Sequence, residues 1–293
     1  MKSPAIVLEG IHKSFGSQKV LTGISGEIEK GKIVGLLGRN GEGKTTLFRI
    51  MLDILLPDAG RVVISGFSPD GTGRIREKIG YVPERPSYHS FMTVEEIFRF
   101  RAKLFPNWNA SLAESTAARL ELDLKSKVDG ASKGTLAKIA WICGTAHSPE
   151  VLLLDEPTSG LDLLVREAVL MQLVNELAEE GKTIFVSNHR MEELSMILDE
   201  VWVLQRGSII QKQNMETLRS SACRITGRLR APVDLSRLPV FEEQRSGDLV
   251  TWLVLDSEIL EQIRHNAYLE QMQQEPLPAE KAFKLLLTQG GKS

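Results

Sequence analysis

Eight residues near the start of the chain combine three glycines, a lysine and a threonine at fixed spacing. They are Gly38-Arg39-Asn40-Gly41-Glu42-Gly43-Lys44-Thr45, and they fit the pattern G-x-x-x-x-G-K-[ST] of a phosphate-binding loop. The glycines let backbone amides turn inward around an anion, Lys44 can reach the outer phosphates, and the Thr45 hydroxyl can ligate Mg²⁺. A helix over Thr46–Leu52 would direct its positive end at the phosphates. An incidental Gly-rich turn is the alternative, but it requires neither the apolar run before the loop nor the helical pattern after it.

An acidic pair is the second feature that could do chemistry. Asp155 and Glu156 follow directly on the apolar run Val151–Leu154. A carboxylate at the end of a buried strand beside a phosphate loop is placed to ligate Mg²⁺. Glu156, one residue further on, is placed to polarise an attacking water. Taken alone, the pair could equally cap a helix that follows the strand.

The elements that must position these motifs are predicted by short apolar runs. The runs are Ile33–Leu37, Val151–Leu154, Thr183–Ser187 and Val201–Leu204, each typical of a strand buried on both faces. Helical patterns at Leu163–Glu180 and Met191–Leu198 separate the last three runs, and this alternation predicts an α/β core with a parallel sheet. Three earlier runs, Ala5–Leu8, Lys19–Ile28 and Arg61–Ile64, predict an antiparallel β portion.

Two regions depart from this alternation. Residues of about 90–135 predict a helical subdomain, in which Thr93 and Glu96 form a capping box and Pro106–Asn109 separates two helices. Residues 216–293 predict a small α+β appendage, with strands around Cys223–Leu229 and Thr251–Leu255 and one helix face formed by Ile259, Leu260, Ile263 and Ala267. We therefore divide the chain into a domain of residues 1–215 and an appendage of residues 216–293.

Composition excludes several classes of protein. The 293 residues carry 36 Lys+Arg and 38 Asp+Glu, a net charge of −2, and 42% are hydrophobic. Such a balance argues against disorder and against a protein that coats nucleic acid. No apolar run approaches the roughly 18 residues of a membrane span, and the first residues lack a secretory signal, so a cytoplasmic protein is expected. The two cysteines make no disulfide framework, and Cys143 is predicted to lie in the core.

The string Leu154–Asp162 extends well beyond an acidic pair, and here the chain resembles the ATP-binding cassette (ABC) ATPases. The resemblance covers residues of about 5–215 and seven motifs in the family's order. They are the adenine-stacking aromatic Phe15, Walker A at Gly38–Thr45, the glutamine loop at Gly80–Glu84, the signature at Ser132–Gly134, Walker B ending in Asp155 and Glu156, the D-loop Ser159–Asp162 and the switch histidine His189. The implied fold is a P-loop NTPase cassette of the α/β class, with the antiparallel portion, the helical insertion and the appendage added.

The resemblance implies a role for each motif. Two cassettes bind two ATP molecules head to tail, so that Walker A of one faces Ser132 and Gly134 of the other. Lys44 and the loop through Thr46 hold the phosphates, while Thr45, Asp155 and the residue at position 84 hold Mg²⁺. Glu156 acts as general base. His189 contacts the γ-phosphate, and Asp162 communicates across the dimer.

The sequence departs from the family pattern at two motifs. Glu84 stands where glutamine is usual, which adds a carboxylate near the Asp155/Glu156 pair. The signature reads Ala131-Ser132-Lys133-Gly134-Thr135 instead of LSGGQ. Together with Phe105-Pro106-Asn107-Trp108, these features resemble a bacterial exporter-like subgroup in which the ATPase and the membrane subunit are separate chains.

The resemblance therefore implies an ATP-binding, Mg²⁺-dependent ATPase subunit that powers an ABC transporter, expected to be an exporter. Its expected partners are a second cassette, in a homodimer or heterodimer, and a separate transmembrane permease at the inner face of the cell membrane; nucleic acid is not expected. Residues Arg85–Phe91 are expected to meet that permease, with Tyr88 and Phe91 in contact. An ATP-dependent clamp with little turnover is the alternative that the altered signature and Glu84 favour. A soluble ABC protein of translation or DNA repair is a third hypothesis, although such chains usually carry tandem cassettes or a coiled-coil insertion.

Overall fold

Strands alternate with helices along the chain, as the apolar runs predict. In the computed structural model the described residues are 3–157, 174, 178–188, 196–230, 238, 240–278 and 281–285. The strands of the first two thirds are β1 (Pro4–Phe15), β2 (Gln18–Glu29), β3 (Ile33–Leu37), β4 (Ala59–Ile64), β5 (Ile79–Val82), β6 (Val151–Asp155), β7 (Thr183–Asn188), β8 (Glu200–Gln205) and β9 (Ser208–Asn214). The helices of this part are α1 (Lys44–Met51), α2 (Val94–Leu104), α3 (Ala110–Arg119) and α4 (Lys133–Thr145).

The central sheet has six strands in the order β5-β6-β7-β3-β8-β9. The pairs β5–β6, β6–β7 and β3–β7 are parallel, which confirms the predicted sheet. Every residue of β3, β6 and β7 is buried, so these strands need apolar side chains on both faces. Because parallel strands end at the same edge of a sheet, the residues after β3, β5, β6 and β7 share one edge.

An aromatic cluster fixes α1 against the sheet. Phe185 of β7 contacts Phe48 of α1 at a ring-centroid distance of 5.3 Å and Trp202 of β8 at 5.4 Å, both edge to face. All three rings are fully buried. The cluster therefore holds α1, and with it the phosphate loop at its start, in one position on the sheet.

The antiparallel portion and the helical insertion also follow the prediction. β1 pairs antiparallel with β2 and with β4 in a three-stranded sheet. In the insertion, α2 begins at the predicted capping box, where the Thr93 side chain accepts from the Glu96 amide and the Glu96 side chain accepts from the Thr93 amide. α2 ends at Leu104, α3 begins after Asn109, and α4 begins after the N-cap residue Ser132.

Residue contacts divide the chain into two units. The first is Met1–Arg190 with Trp202–Ile210, and the second is Met191–Val201 with Gln211–Ser293. The second unit contains α5 (Met215–Ser221), α6 (Ser257–His265) and a sheet of β10 (Cys223–Leu229), β11 (Phe241–Ser246), β12 (Leu249–Val254) and β13 (Leu269–Pro276). Its strands lie in the order β11-β12-β10-β13, and its core is built around Ile225, Trp252 and Ile263. The boundary at residue 215 stays a prediction.

Some sequence predictions lie outside the described residues. These are the D-loop Ser159–Asp162, the switch histidine His189 and most of the helical patterns Leu163–Glu180 and Met191–Leu198. Within the part of the chain that is described, no helix is long and apolar enough to cross a membrane.

Candidate nucleotide site

The loop between β3 and α1 has the conformation that its glycines predict. Gly41 and Gly43 adopt left-handed φ angles of +87° and +107°. A Cβ on Gly43 would lie 2.7 Å from Leu21 Cδ2 and 3.0 Å from the Val20 carbonyl oxygen, so a side chain there would be strained. The Leu47 amide donates to the Gly43 carbonyl at 2.9 Å, so α1 begins at Lys44. Our predicted start at Thr46 was therefore wrong by two residues, because the left-handed N-cap lets Lys44 and Thr45 enter the helix.

Lys44 folds back over its own loop. Its Nζ donates to the carbonyl of Gly38 at 2.7 Å and to that of Arg39 at 3.2 Å. It also forms an ion pair with Glu156 Oε1 at 2.9 Å, and both side chains are nearly fully buried. The residue predicted to bind phosphate and the residue predicted to act as general base therefore neutralise each other in this structure.

Asp155 is oriented by two hydroxyl groups. The register of β6 and β7 places Asp155 opposite Ser187, and Ser187 Oγ donates to Asp155 Oδ1 at 2.6 Å. From the other side, the Tyr81 hydroxyl donates to Asp155 Oδ2 at 3.3 Å. Burial, together with the charge of Asp155, raises the pKa of Tyr81 well above its usual range, so Tyr81 remains a donor at neutral pH.

Glu156 has a strained backbone that β7 supports. Its φ is +46°, in the left-handed region that a glutamate rarely adopts. Its amide donates to the Ser187 carbonyl at 3.0 Å and approaches Ser187 Oγ at 3.2 Å. Such strain persists where surrounding contacts impose it, and it is common at functional sites. Ser187 thus positions both members of the acidic pair.

Our sequence analysis missed Ser187 and Tyr81 as members of this site. Both stand in short apolar strands, where a hydroxyl is the exception: Ser187 in TIFVS and Tyr81 in GYV. A polar residue near the carboxyl end of a strand that is otherwise buried was the available signal.

Glu42 links the phosphate loop to the turn between β8 and β9. Its carboxylate accepts from the Arg206 amide in that turn. The neighbouring Gly207 carbonyl accepts from the Thr22 amide at 2.8 Å, and Thr22 and Ser208 share a hydroxyl hydrogen bond of 2.6 Å. The middle of the loop is thus supported by β2 and by this turn.

The other predicted site residues lie elsewhere in the first unit. Phe15 is half exposed at the end of β1, with Lys13 Nζ 5.7 Å from its ring centroid. Glu84 follows β5 and lies 3.5 Å from the Arg85 guanidinium. Ser132 caps α4 by accepting from the Thr135 amide at 3.1 Å; Ser132 is exposed, whereas Gly134 is buried. The described hydrogen bonds and ion pairs join Lys44, Asp155 and Glu156 into one cluster through Ser187 and the Lys44–Glu156 pair. None of these described bonds includes Phe15, Glu84, Ser132 or Gly134.

Comparisons with known proteins show the family of this chain. The family model described as ABC transporter matches residues 21–159. An uncharacterized ABC transporter ATP-binding protein of Methanocaldococcus jannaschii is 34% identical over 220 residues, which are 73% of this chain and 79% of that protein. The Nod factor export ATP-binding protein I of Ralstonia nicotianae is 34% identical over 211 residues, 70% of this chain and 65% of that protein. A solved ATP binding subunit of an ABC transporter gives a TM-score of 0.67 at 26% identity, over 74% of this chain and 92% of that one.

The fold and the loop between β3 and α1 define a P-loop nucleotide-binding cassette. The chain belongs to the ABC transporter family. It is an ATP-binding subunit of this family, whose cassettes hydrolyse ATP to drive transport, dimerise and pair with transmembrane subunits. The clamp with little turnover and the soluble ABC protein are not favoured by these relatives.

Proposed function

We propose that Lys44, the loop Gly38–Thr46 and Glu156 together bind and hydrolyse ATP. The observation that supports this assignment is the 2.9 Å contact between Lys44 Nζ and Glu156 Oε1, directly beside Asp155. It brings a cation for the phosphates and a carboxylate for the water into one buried site. Such a pair supplies both requirements of phosphoryl transfer, which are charge stabilisation and an oriented nucleophile.

The Lys44–Glu156 ion pair requires that ATP binding precede the activation of water by Glu156. The phosphates of ATP take the place of Glu156 at Lys44, and the loop amides with the start of α1 bind the remaining phosphate oxygens. Glu156 is thereby released from Lys44, and its carboxylate can accept a proton from the attacking water. The positive charge of Lys44 then stabilises the charge that develops on the phosphoryl oxygens.

The donor set fits Mg²⁺, a hard cation that prefers oxygen ligands. Among the described residues, Asp155 accepts only from the hydroxyls of Ser187 and Tyr81, so its buried carboxylate has no cationic partner there. Thr45 and Asp155 would hold the ion, and Glu84 supplies a further carboxylate at the same edge of the sheet. When bound, Mg²⁺ neutralises phosphate charge.

A second cassette completes the site. The exposed Ser132 and the start of α4 are assigned to the ATP of the opposing cassette, and exposed Phe15 is assigned to its own adenine. His189 is assigned to the γ-phosphate and Asp162 to communication across the dimer, although both lie outside the described residues. The partner cassette is a second copy of this chain or a homologous chain.

The segment Arg85–Phe91 is assigned to a separate transmembrane permease. Phe91 is 72% exposed and stacks on His89 with ring centroids 5.3 Å apart, which presents an aromatic surface to a partner. Tyr88, in contrast, is only partly exposed, and burial and the nearby Cys143 thiol raise its pKa. Phe91 is therefore the better candidate for direct contact. Docking there would place the cassette at the inner face of the cell membrane, and the relative named for Nod factor export supports an exporter.

Nucleotide binding by the full-length chain tests this assignment. Replacing Lys44 with alanine should weaken ATP binding by about tenfold or more, because the loop loses its cation. Replacing exposed Lys133 with alanine should leave binding to the isolated chain within about twofold, because that residue is assigned to the opposing site. Equal ATP affinity in wild type and Lys44→Ala would contradict the proposed site.

A further inference from the structure

Arg101 of α2 lies in a cluster of side-chain contacts that has no role in the nucleotide site described above. The guanidinium of Arg101 donates from Nη2 to the Cys143 carbonyl at 2.8 Å, and it stacks on the Phe105 ring at 4.3 Å from the centroid. Phe105 in turn contacts the ring of His147 at 4.3 Å, and His147 Nε2 lies 3.1 Å from the Ile79 carbonyl at the start of β5. Arg101 thus begins a column of contacts from α2 to the central sheet.

The acceptor of Arg101 lies at the end of α4. Cys143 stands in the last turn of this helix, where backbone carbonyls run out of donors within the helix. The negative end of the helix dipole favours a cation there, yet the last turn of α4 has no basic residue of its own. Arg101 supplies the missing donor and the missing charge from a neighbouring helix.

The same end of α4 is pressed against β5. A Cβ on Gly80 would lie 2.1 Å from the Gly144 carbonyl, and a Cβ on Gly144 would lie 2.9 Å from the Tyr81 carbonyl. The backbones of α4 and β5 therefore touch through two glycines. β5 leads directly to Glu84, whereas the opposite end of α4 begins at Ser132, about 20 Å away for 13 residues of helix. One rigid helix therefore connects the strand before Glu84 to the signature.

The loop after Glu84 joins the same cluster. Burial and the nearby Cys143 thiol raise the pKa of Tyr88, while the charge of Arg101 acts to lower it, so the Tyr88 side chain lies near both groups. Tyr88 of this loop and Arg101 of α2 therefore both lie beside Cys143, and Phe105 joins the cluster through Arg101. A tilt of α4 about this end would displace Ser132, because about 20 Å of helix separates the two ends.

We propose that Arg101 is a positioning residue for ATP-driven closure, which holds the end of the signature helix so that Ser132 reaches the opposing ATP. The inference rests on the proposed role of Ser132. It assigns to Arg101 no contact with nucleotide, so ATP binding to the isolated chain should not depend on it. Phe105 serves as the platform that fixes the guanidinium plane.

The test uses the full-length chain with Arg101→Ala, Arg101→Lys and a control on the same helix, Arg99→Ala. Arg99 is exposed and pairs only loosely with Glu95, at 3.5 Å. Arg101→Ala should lower kcat for ATP by about tenfold and leave the dissociation constant for ATP within about twofold, a split that loss of nucleotide binding would not produce. Arg101→Lys, which keeps the charge but not the planar stack, should recover part of kcat. Arg99→Ala should match wild type.

ATP-driven dimerisation gives an independent readout. In a Glu156→Gln background, adding Arg101→Ala should raise the ATP concentration needed for dimers by about tenfold, measured by light scattering below the melting temperature of the variant. Unchanged kcat and dimerisation in Arg101→Ala, with only a lower melting temperature, would overturn the proposal. So would an equal loss in Arg99→Ala. If the single variant Glu156→Gln forms no dimer with ATP, the proposed ATP-driven dimerisation is contradicted. The effect of Arg101→Ala on kcat then decides whether Arg101 is a positioning residue.

Discussion

Lys44 and Glu156 form a buried ion pair, with Nζ and Oε1 2.9 Å apart. In the proposed reaction each side chain has a different partner: Lys44 binds the phosphates of ATP, and Glu156 accepts a proton from the attacking water. The pair therefore stabilises the site without nucleotide and must separate when nucleotide binds. This relationship makes nucleotide affinity and turnover depend on Glu156 in opposite directions.

Removing the charge of Glu156 should tighten the binding of ADP, which is not hydrolysed. In Glu156→Gln, Lys44 no longer has to leave a carboxylate, so the dissociation constant should fall by about threefold or more. Isothermal titration calorimetry at pH 7 measures it. Glu150→Gln serves as control, since Glu150 is an exposed residue just before β6 that pairs with Lys78. Unchanged or weaker ADP binding in Glu156→Gln would contradict competition for Lys44.

Ser187 should matter for the metal requirement. Ser187→Ala removes the 2.6 Å hydrogen bond to Asp155, and loss of such an orienting partner typically costs tenfold or more in metal affinity. The Mg²⁺ concentration that gives half-maximal ATPase rate should rise by about tenfold. Ser115→Ala removes an exposed hydroxyl that donates to the Leu112 carbonyl on α3, away from the site, and it should leave this Mg²⁺ concentration unchanged. The same Mg²⁺ dependence in both variants would refute this role.

His147 should make the folded chain sensitive to acid. Burial, reinforced by the charges of Arg101 and Lys182 and opposed by the hydrogen bond with Ile79, lowers the pKa of His147 from 6.5 to about 4. Because the unfolded chain binds the proton more tightly, the stabilisation is complete above pH 6.5 and is lost as the pH falls toward 4. Between pH 7 and pH 5 this amounts to about 2 kcal/mol.

Urea unfolding of wild type and His147→Gln at these two pH values isolates that contribution. Wild type should lose about 2 kcal/mol more than the variant on acidification, since glutamine does not titrate. Other groups that titrate in this range cancel in the comparison. Equal losses in the two proteins would show that His147 does not resist protonation.

Gly43 should tolerate substitution worse than a glycine that lies in open space. Gly43→Ala combines a φ of +107° with a Cβ 2.7 Å from Leu21 Cδ2, and it should cost about 2 kcal/mol or more of unfolding free energy. Gly71→Ala has φ +79° with no atom within 4 Å, and it should cost about 1 kcal/mol. Chemical denaturation of both variants and of the wild type measures the two losses of unfolding free energy. A milder effect at Gly43 would mean that the loop adapts to the side chain.

The strands and helices could be predicted from the sequence more accurately than the side-chain contacts of the candidate site. Runs such as Ile33–Leu37 and Val151–Leu154 are buried on both faces, so burial alone dictates apolar residues and the strands could be recognised. The start of α1 was misplaced because it depends on the left-handed φ of Gly43, which glycine permits but does not require. The Lys44–Glu156 ion pair joins residues far apart in sequence, and only the strand order β6-β7-β3 brings them together.

The two hydroxyls that orient Asp155 show the same limit. Ser187 is found through the register of β6 and β7, and Tyr81 through that of β5 and β6. Register depends on the packing of the whole sheet, so the sequence can mark the two hydroxyls as unusual but cannot reveal that Asp155 is their partner. Arg101 likewise looks like an ordinary helix residue in sequence, and its role depends on where α4 ends.

The central claim is that Glu156 activates the water that hydrolyses ATP. Single-turnover cleavage of ATP, with the protein in excess over ATP, saturating Mg²⁺ and acid quenching, tests it directly, because the quench counts phosphate formed before the products dissociate. Glu156→Gln should bind ATP at least as tightly as wild type and form phosphate about a hundredfold more slowly or slower still. Cleavage by Glu156→Gln at the wild-type rate would contradict the account.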